Sequence, residues 1–179
     1  MKLQGPHIQL RAIEPFDIDV LYQWENDTET WKISNTQTPF SRFVLEEYIV
    51  SSHQDIYAAK QLRLMIELMP SAGNEQTKRT IGSIDLFDFD ANHQRAGIGI
   101  LIAEKNDRRN GYASEALDML IEYCFSTLNL HQLFCNITLD NEPSIYLFRQ
   151  HGFEVTGIKK QWIREGDKFK DELFLQLLR

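Results

Sequence analysis

Eight consecutive residues near the middle of the chain, Ala96-Gly97-Ile98-Gly99-Ile100-Leu101-Ile102-Ala103, carry no polar side chain. A strand with one wet face alternates polar and apolar residues, so an unbroken run reads as a strand buried on both faces at the centre of a sheet. Its two glycines let another group approach the backbone closely. After a short charged turn, Gly111 to Leu128 reads as a strong helix. Ala113, Ala116, Leu117, Leu120, Ile121, Cys124, Phe125 and Leu128 recur there at helical spacing. A buried strand feeding an amphipathic helix implies a mixed α/β layer.

The flanking sequence supplies further elements. His7 to Ile13 alternates as a first strand, with Ile8, Leu10 and Ala12 on one side. Glu14-Pro15 opens a helix striped by Ile18, Leu21, Tyr22 and Trp24, since proline suits a first helical turn. Ser41 is an N-cap for a second helix through Val44, Leu45, Tyr48 and Ile49. Leu62 to Met69 and Lys78 to Asp90 read as a hairpin around a turn at Pro70-Ser71-Ala72-Gly73-Asn74. Gln132 to Leu139 is a strand and Glu142 to His151 a short helix. The tail is a hairpin turning near Glu165-Gly166-Asp167.

At 179 residues with 42% hydrophobic and 25% charged residues, the chain has the composition of one globular domain with a sizeable core. No apolar run approaches the ~20 residues of a membrane span. The opening Met1-Lys2-Leu3-Gln4-Gly5-Pro6 leaves no room for a signal peptide. Cys124 and Cys135 sit in apolar segments and read as buried thiols, so a reducing cytoplasm is the expected compartment. The formal net charge of −7 argues against nucleic acid as a partner and is compatible with a cationic substrate. His7, His53, His93, His131 and His151 show no metal spacing, and no G-x-S-x-G nucleophile elbow occurs.

Chemistry enters at Arg108-Arg109-Asn110-Gly111-Tyr112-Ala113, between the apolar strand and the long helix. The first amides of a helix lack internal partners and carry partial positive charge, which makes an anion site. Gly111 removes a side chain from that approach, Ala113 keeps the next turn small, and Lys105, Arg108 and Arg109 add positive charge. The plainer reading is a strand-to-helix turn with solvated arginines. Gly97-Ile98-Gly99 lies inside a strand and fails the dinucleotide fingerprint, and no G-x-x-x-x-G-K-S/T is present.

Arg108-x-x-Gly111-x-Ala113 after an apolar strand resembles the Q/R-x-x-G-x-A/G signature of the GNAT superfamily of N-acetyltransferases. Asn141-Glu142-Pro143-Ser144-Ile145-Tyr146-Leu147-Phe148-Arg149-Gln150-His151-Gly152-Phe153 is similar to a second segment of that family. Leu10-Arg11 and Gly166-x-x-x-x-Asp171 also fit, in family order over nearly the whole chain. The nearest branches are the spermidine acetyltransferases and the ribosomal-protein N-terminal acetyltransferases. The resemblance implies one acyl-CoA N-acyltransferase domain over residues 1–179, a central mixed sheet flanked by helices. It implies acetyl-CoA as cosubstrate and a small-molecule or protein amine as acceptor, with no nucleic acid or membrane partner. The pantetheine arm would lie beside Ile100, Leu101 and Ile102. The diphosphate would rest on the segment Arg108, Arg109, Asn110, Gly111, Tyr112 and Ala113, chiefly on the amides from Arg109 onward. Asn141 would contact the cofactor arm, a role that does not exclude capping the next helix. The hydrophobic tail hairpin leaves room for a dimer.

Direct transfer needs a neutral amine, an oxyanion donor and a departing thiolate. An alkyl amine with pKa ~10.4 is only about one part in 10³ neutral at pH 7. A general base therefore matters more than an acid. The family places a tyrosine acid at the eighth position of the Asn141 segment, where this chain has Phe148, and many relatives carry glutamate where Gly97 stands. Asp85 and Asp88 are the base candidates, and alternation puts them on opposite faces, with Asp88 favoured. A CoA-binding protein with weak or no catalysis is the alternative that Phe148 and Gly97 motivate. A phosphate-binding domain of another kind rests on the glycine turn alone. Trp24 to Phe40, with Glu25, Asp27, Glu29 and Trp31, is the expected acceptor wall. Ser34-Asn35 stands where polyamine-specific relatives carry an acidic pair.

Overall fold

The computed structural model describes residues 3–34, 36–70 and 78–179. Among the described residues seven strands form one sheet: β1 (Ile8–Ala12), β2 (Leu62–Leu68), β3 (Arg79–Asp90), β4 (Arg95–Ile102), β5 (Gln132–Thr138), β6 (Glu154–Glu165) and β7 (Lys168–Leu178). Their spatial order is β1-β2-β3-β4-β5-β7-β6, which puts the apolar run in the middle strand. Every neighbouring pair is antiparallel except β4 and β5. That parallel pair needs a crossover, and the long amphipathic helix α5 (Tyr112–Ser126) supplies it. The turn expected at 71–74 lies outside the described residues.

The remaining helices are α1 (Ile18–Glu25), α2 (Thr28–Ser34), α3 (Arg42–Ser51), α4 (Ile56–Ala59) and α6 (Glu142–Gln150), with a 3-10 turn at Pro15–Asp17. Ser41 caps α3 by accepting from the Val44 amide, as its sequence position implied. The short helices α2 and α4 have no apolar stripe long enough to show in the sequence.

Alternation along the strands sorts the core into two layers. Leu64, Ile66, Ile84, Leu86, Ile98, Leu133 and Leu175 face α5, packing on Ala116, Leu117, Leu120 and Cys124. Met65 faces the other way, into a smaller cluster with Leu21 and Trp24 of α1 and Leu45 and Ile49 of α3. Both cysteines are free and buried. Among the described residues no helix is long and apolar enough to cross a membrane.

One expectation for β4 needs correction. Only its first half is buried on both faces: Ala96, Gly97 and Ile98 are buried, whereas Gly99 to Ile102 are half-buried. The cause is the pairing. β4 and β5 run together only over Arg95↔Gln132, Ala96↔Leu133 and Gly97↔Phe134. Beyond that point β5 pairs with β7 alone and β4 with β3 alone, so the sheet divides into a V.

Candidate active site

Aromatic packing marks the fork of the V. A Cβ on Gly97 would sit 2.3 Å from Phe87 Cε2, so Gly97 exists to let the Phe87 ring lie across β4. That ring meets Phe134 of β5 edge-on at 5.7 Å, and Phe134 in turn lies 5.4 Å from Phe174 of β7. The family's glutamate position is thus filled by a neighbour's ring. Above this floor a cleft of about 620 Å³ opens, lined by Ile98 to Leu101, Asn141, Ser144 and Phe148. On its β4 side, alternate residues from Ile98 onward turn backbone groups away from β3 with no strand to receive them.

The turn after β4 is anchored from two directions. Asp107, 7% exposed, takes a bidentate contact from Arg79 of β3 at 2.6 and 2.8 Å. Arg108 folds back on the strand it follows, donating from Nε to the Ile102 carbonyl at 3.0 Å and from Nη2 to the Ala103 carbonyl at 2.9 Å. Arg108 is therefore a latch whose guanidinium is already engaged, and its own amide donates to Lys105 O. Of the expected anion-binding segment, it is the residue that belongs to the scaffold instead.

From Arg109 onward the amides are free. Arg109 (φ 65) and Gly111 (φ 84) both adopt left-handed backbone, a curl that turns successive N–H groups toward one concavity. The first hydrogen bond of α5 runs from Glu115 N to Gly111 O at 3.0 Å. Among the described residues, no backbone carbonyl takes the amides of Arg109, Asn110, Gly111, Tyr112 or Ala113. A Cβ on Gly111 would meet nothing within 4 Å, so the glycine answers to its φ rather than to crowding within the protein. Glu115, the acid in this first turn, is drawn away by the amides of His7 and Ile8 and by His7 Nδ1. Negative charge is thereby kept off the anion site.

Asn141 begins α6 and does what a cap does: its Oδ1 accepts from Ser144 N at 3.3 Å. Among the described residues its Nδ2 has no hydrogen-bond partner, and Asn141 lies on the cleft wall. Phe148, at the family's tyrosine position, is 3% exposed and packs edge-on against Phe153 at 5.0 Å. It lines the cleft and has no proton to give. Cys135 also lines it, but burial pushes its thiol up to about 12, which keeps it protonated and unreactive at neutral pH.

The opposite face of the sheet carries charge. Arg63, Asp85 and Gly99 are cross-strand neighbours on β2, β3 and β4. Arg63 donates from Nε and Nη2 to the two oxygens of Asp85 at 2.7 and 3.2 Å, and from Nη1 to Glu25 of α1 at 2.5 Å. The guanidinium also lies 5.5 Å over the Tyr48 ring. Burial works against the Arg63 charge, but Asp85, Tyr48 and Glu25 together hold it protonated. Burial pushes the Asp85 carboxyl above its usual range, while Arg63 pulls it down and Glu25 adds to the rise. The row ends at Gly99, where the absent side chain leaves space beside the opening. On the far wall, Lys159 of β6 donates to Glu172 at 2.9 Å and to Asn136 at 2.7 Å.

Asp88, favoured from the sequence, does not reach this place. It is exposed, has φ 48, and sits where the β3–β4 register slips between Phe87 and Asp90. Alternation separated the two aspartates rightly, and the slip carries Asp88 away from the cleft that Asp85 lines. Two motif residues proved architectural. Arg11 grips buried Asp17 at 2.7 and 2.8 Å and Glu67 at 2.9 Å. Asp171 accepts from the amide of left-handed Gln161 at 2.8 Å, fixing the bulge beside Trp162. The sequence reading missed Arg63, Lys159 and Glu172, because each meets its partner on another element and leaves no local pattern.

Known proteins share this fold and part of this sequence. The family described as "Acetyltransferase (GNAT) domain" matches residues 7–154. The uncharacterized N-acetyltransferase p20 of Bacillus licheniformis is 28% identical over 177 residues, covering 99% of this chain and 96% of that one. The spermidine N(1)-acetyltransferase of Vibrio cholerae is 23% identical over 84% of this chain and 80% of its own. A crystal structure of the Vibrio cholerae spermidine N-acetyltransferase with CoA and spermine superimposes with a TM-score of 0.82 at 21% identity, over 97% of this chain and 96% of that one. A dodecameric structure of the spermidine N-acetyltransferase from Vibrio cholerae matches with a TM-score of 0.75 at 22% identity, over 97% of this chain and 95% of that one.

Proposed function

The chain belongs to the acetyltransferase (GNAT) domain family, and from that premise we propose that it moves an acetyl group from acetyl-CoA to a primary amine, on a polyamine-like small molecule or a protein N-terminus. The observation that carries this reading is the division of β4 from β5 directly before a helix start whose amides are free. Acetyl-CoA supplies an activated acyl carbon, a thiol leaving group and a diphosphate. The residues fit that molecule. Arg109 to Ala113 present amides for the diphosphate, the Ile98–Ile102 edge offers strand-like pairing for an amide-bearing arm, and Asn141 Nδ2 adds a donor.

On the acceptor side, Asp85 replaces Asp88 as the carboxylate beside the reacting amine. Arg63 fixes its orientation, and its raised affinity for a proton brings it nearer a useful base than an exposed aspartate. Backbone N–H groups of the open β4 edge are the donors for developing negative charge. Water protonates the departing thiolate, because a thiol near ~8.5 leaves without much help at pH 7. A second reading, a CoA-binding protein with weak or no catalysis, is favoured by Phe148, which cannot donate a proton. A cytoplasmic location and an oligomer of this chain accord with the reading.

Calorimetric titration with acetyl-CoA is the direct test. Binding is expected, and Gly111→Glu should weaken it at least ~10-fold by placing a carboxylate among the amides and straining a left-handed position. Equal binding by that variant would remove the foundation of the proposal. Amine-dependent release of free thiol then separates catalysis from binding alone.

A further inference from the structure

The cleft continues beyond the acetyl-transfer site. A second cavity of about 830 Å³ lies between α2 and the tip of the β6–β7 hairpin. The two share Lys32, Thr138, Asn141, Trp162 and Ile163 as lining, so they form one groove from the opening of the V to the protein surface. Trp162, 61% exposed, marks the junction.

Charge along this groove is arranged unlike charge on the whole molecule. The protein carries −7, yet the groove sets six lining carboxylates against five lining cations. All six are paired. Glu25 and Asp85 share Arg63, and Glu172 holds Lys159. Glu29 holds Lys32, while Asp140 and Glu165 share Lys170 at 2.6 Å each. Between these pairs the walls are neutral hydrogen-bonding groups, among them Asn136, Thr138, Thr36 and Gln37. A multiply charged polyamine would find no carboxylate here without a cation already on it.

The proton inventory at the inner end points the same way. Phe87 fills the space over Gly97, Asp88 is turned away, and Asp85 is clamped by Arg63. Asp85 can take a proton, but drawing one from an alkylammonium near ~10.4 costs far more than drawing one from an α-ammonium near ~7.8. An α-amine with pKa near ~7.8 is about one part in ten neutral at pH 7, against about one in 10³ for an alkyl amine. The acceptor itself must bring the low pKa.

Resting on the acetyl-transfer reading, we propose that the acceptor is the α-amine of a peptide lying extended in this groove, not a polyamine or a lysine side chain. The neutral walls receive its main chain, and the indole of Trp162 lies along its path.

The test compares three acceptors with saturating acetyl-CoA at pH 7, following free thiol and locating the acetyl group by mass. They are a short lysine-free peptide with a free N-terminus, an N-terminally blocked peptide containing lysine, and spermidine. The free peptide is expected to exceed both others at least tenfold in kcat/KM. That ratio should shrink between pH 7 and pH 9, as alkyl amines gain neutral fraction while the α-amine saturates. Lys170→Gln, which leaves Asp140 and Glu165 without their shared cation, should raise kcat/KM for spermidine several-fold and so narrow the free peptide's advantage at pH 7. Spermidine equalling the free peptide at pH 7, or a ratio indifferent to pH, overturns the inference while leaving acetyl transfer standing. Acetyl-CoA binding without thiol release to any of the three overturns the transfer reading, and this inference with it.

Discussion

On the α5 side of the sheet, the groups offered to a ligand are main-chain amides from consecutive residues, Arg109 to Ala113. On the α1 and α3 side they are side chains from separate elements: Glu25, Arg63, Asp85, Lys159 and Glu172. The first construction uses groups every residue owns and needs only the right backbone curl, so a glycine and a strand-to-helix junction suffice to specify it. The second exists only once β2, β3, β6 and β7 have come together. A cofactor shared across a family can be served by the first kind, while acceptor choice belongs to the second.

The sharpest way to break this division is to remove a group from one side and measure both. Asp85→Asn should lower kcat/KM for the amine by ~10²–10⁴-fold, the usual range for losing acid–base assistance, with acetyl-CoA affinity by calorimetry unchanged. A matching fall in acetyl-CoA affinity would show that the two sides are not separable. Arg79→Ala removes the partner of buried Asp107 and should loosen the anchored turn. Acetyl-CoA affinity is expected to drop about tenfold, with stability lowered by ~1–3 kcal/mol, less than a fully buried pair because Arg79 is half-exposed. Asp88→Asn should change kcat/KM less than about twofold, and a larger loss would restore Asp88 to the acceptor side.

The two thiols give a pH test of the scaffold that joins these sides. Burial pushes Cys124 and Cys135 each up to about 12. An unfolded thiol ionises near ~8.5, so the folded state binds the extra proton, and its stability is complete below that pH and lost progressively above it. Melting temperature should hold up to about pH 8 and decline beyond pH 9. A disulfide reagent at pH 7 should label neither thiol in the native protein.

Most of the fold was legible because it is written in periodicity. The alternation of β1, the helical spacing of α5 and the unbroken run of β4 each declare a burial pattern over consecutive residues. Amphipathic stripes too short to count hid α2 and α4. The candidate anion-binding segment is local for the same reason, and within it the Arg108 side chain holds the carbonyls of Ile102 and Ala103. On the acceptor side, Trp24, Glu25, Glu29 and Trp31 were read from one segment and do line the groove, but the pairing of Arg63 with Asp85 and of Lys159 with Glu172 was not, because those partners lie 22 and 13 positions apart. Asp88 was favoured because alternation puts the two aspartates on opposite faces without saying which face meets the cleft, and Asp85 is the one that lines it.

The ring of Phe87 lying across Gly97 has a consequence for how a guest arrives. With that ring packed on Phe134 at the last paired position, and β5 committed to β7 beyond it, the two middle strands stand apart with nothing between them. The channel is cut during folding and does not wait for a ligand to pry it apart. Entry then costs little rearrangement of the host, and most of the ordering falls on the flexible arm that threads it.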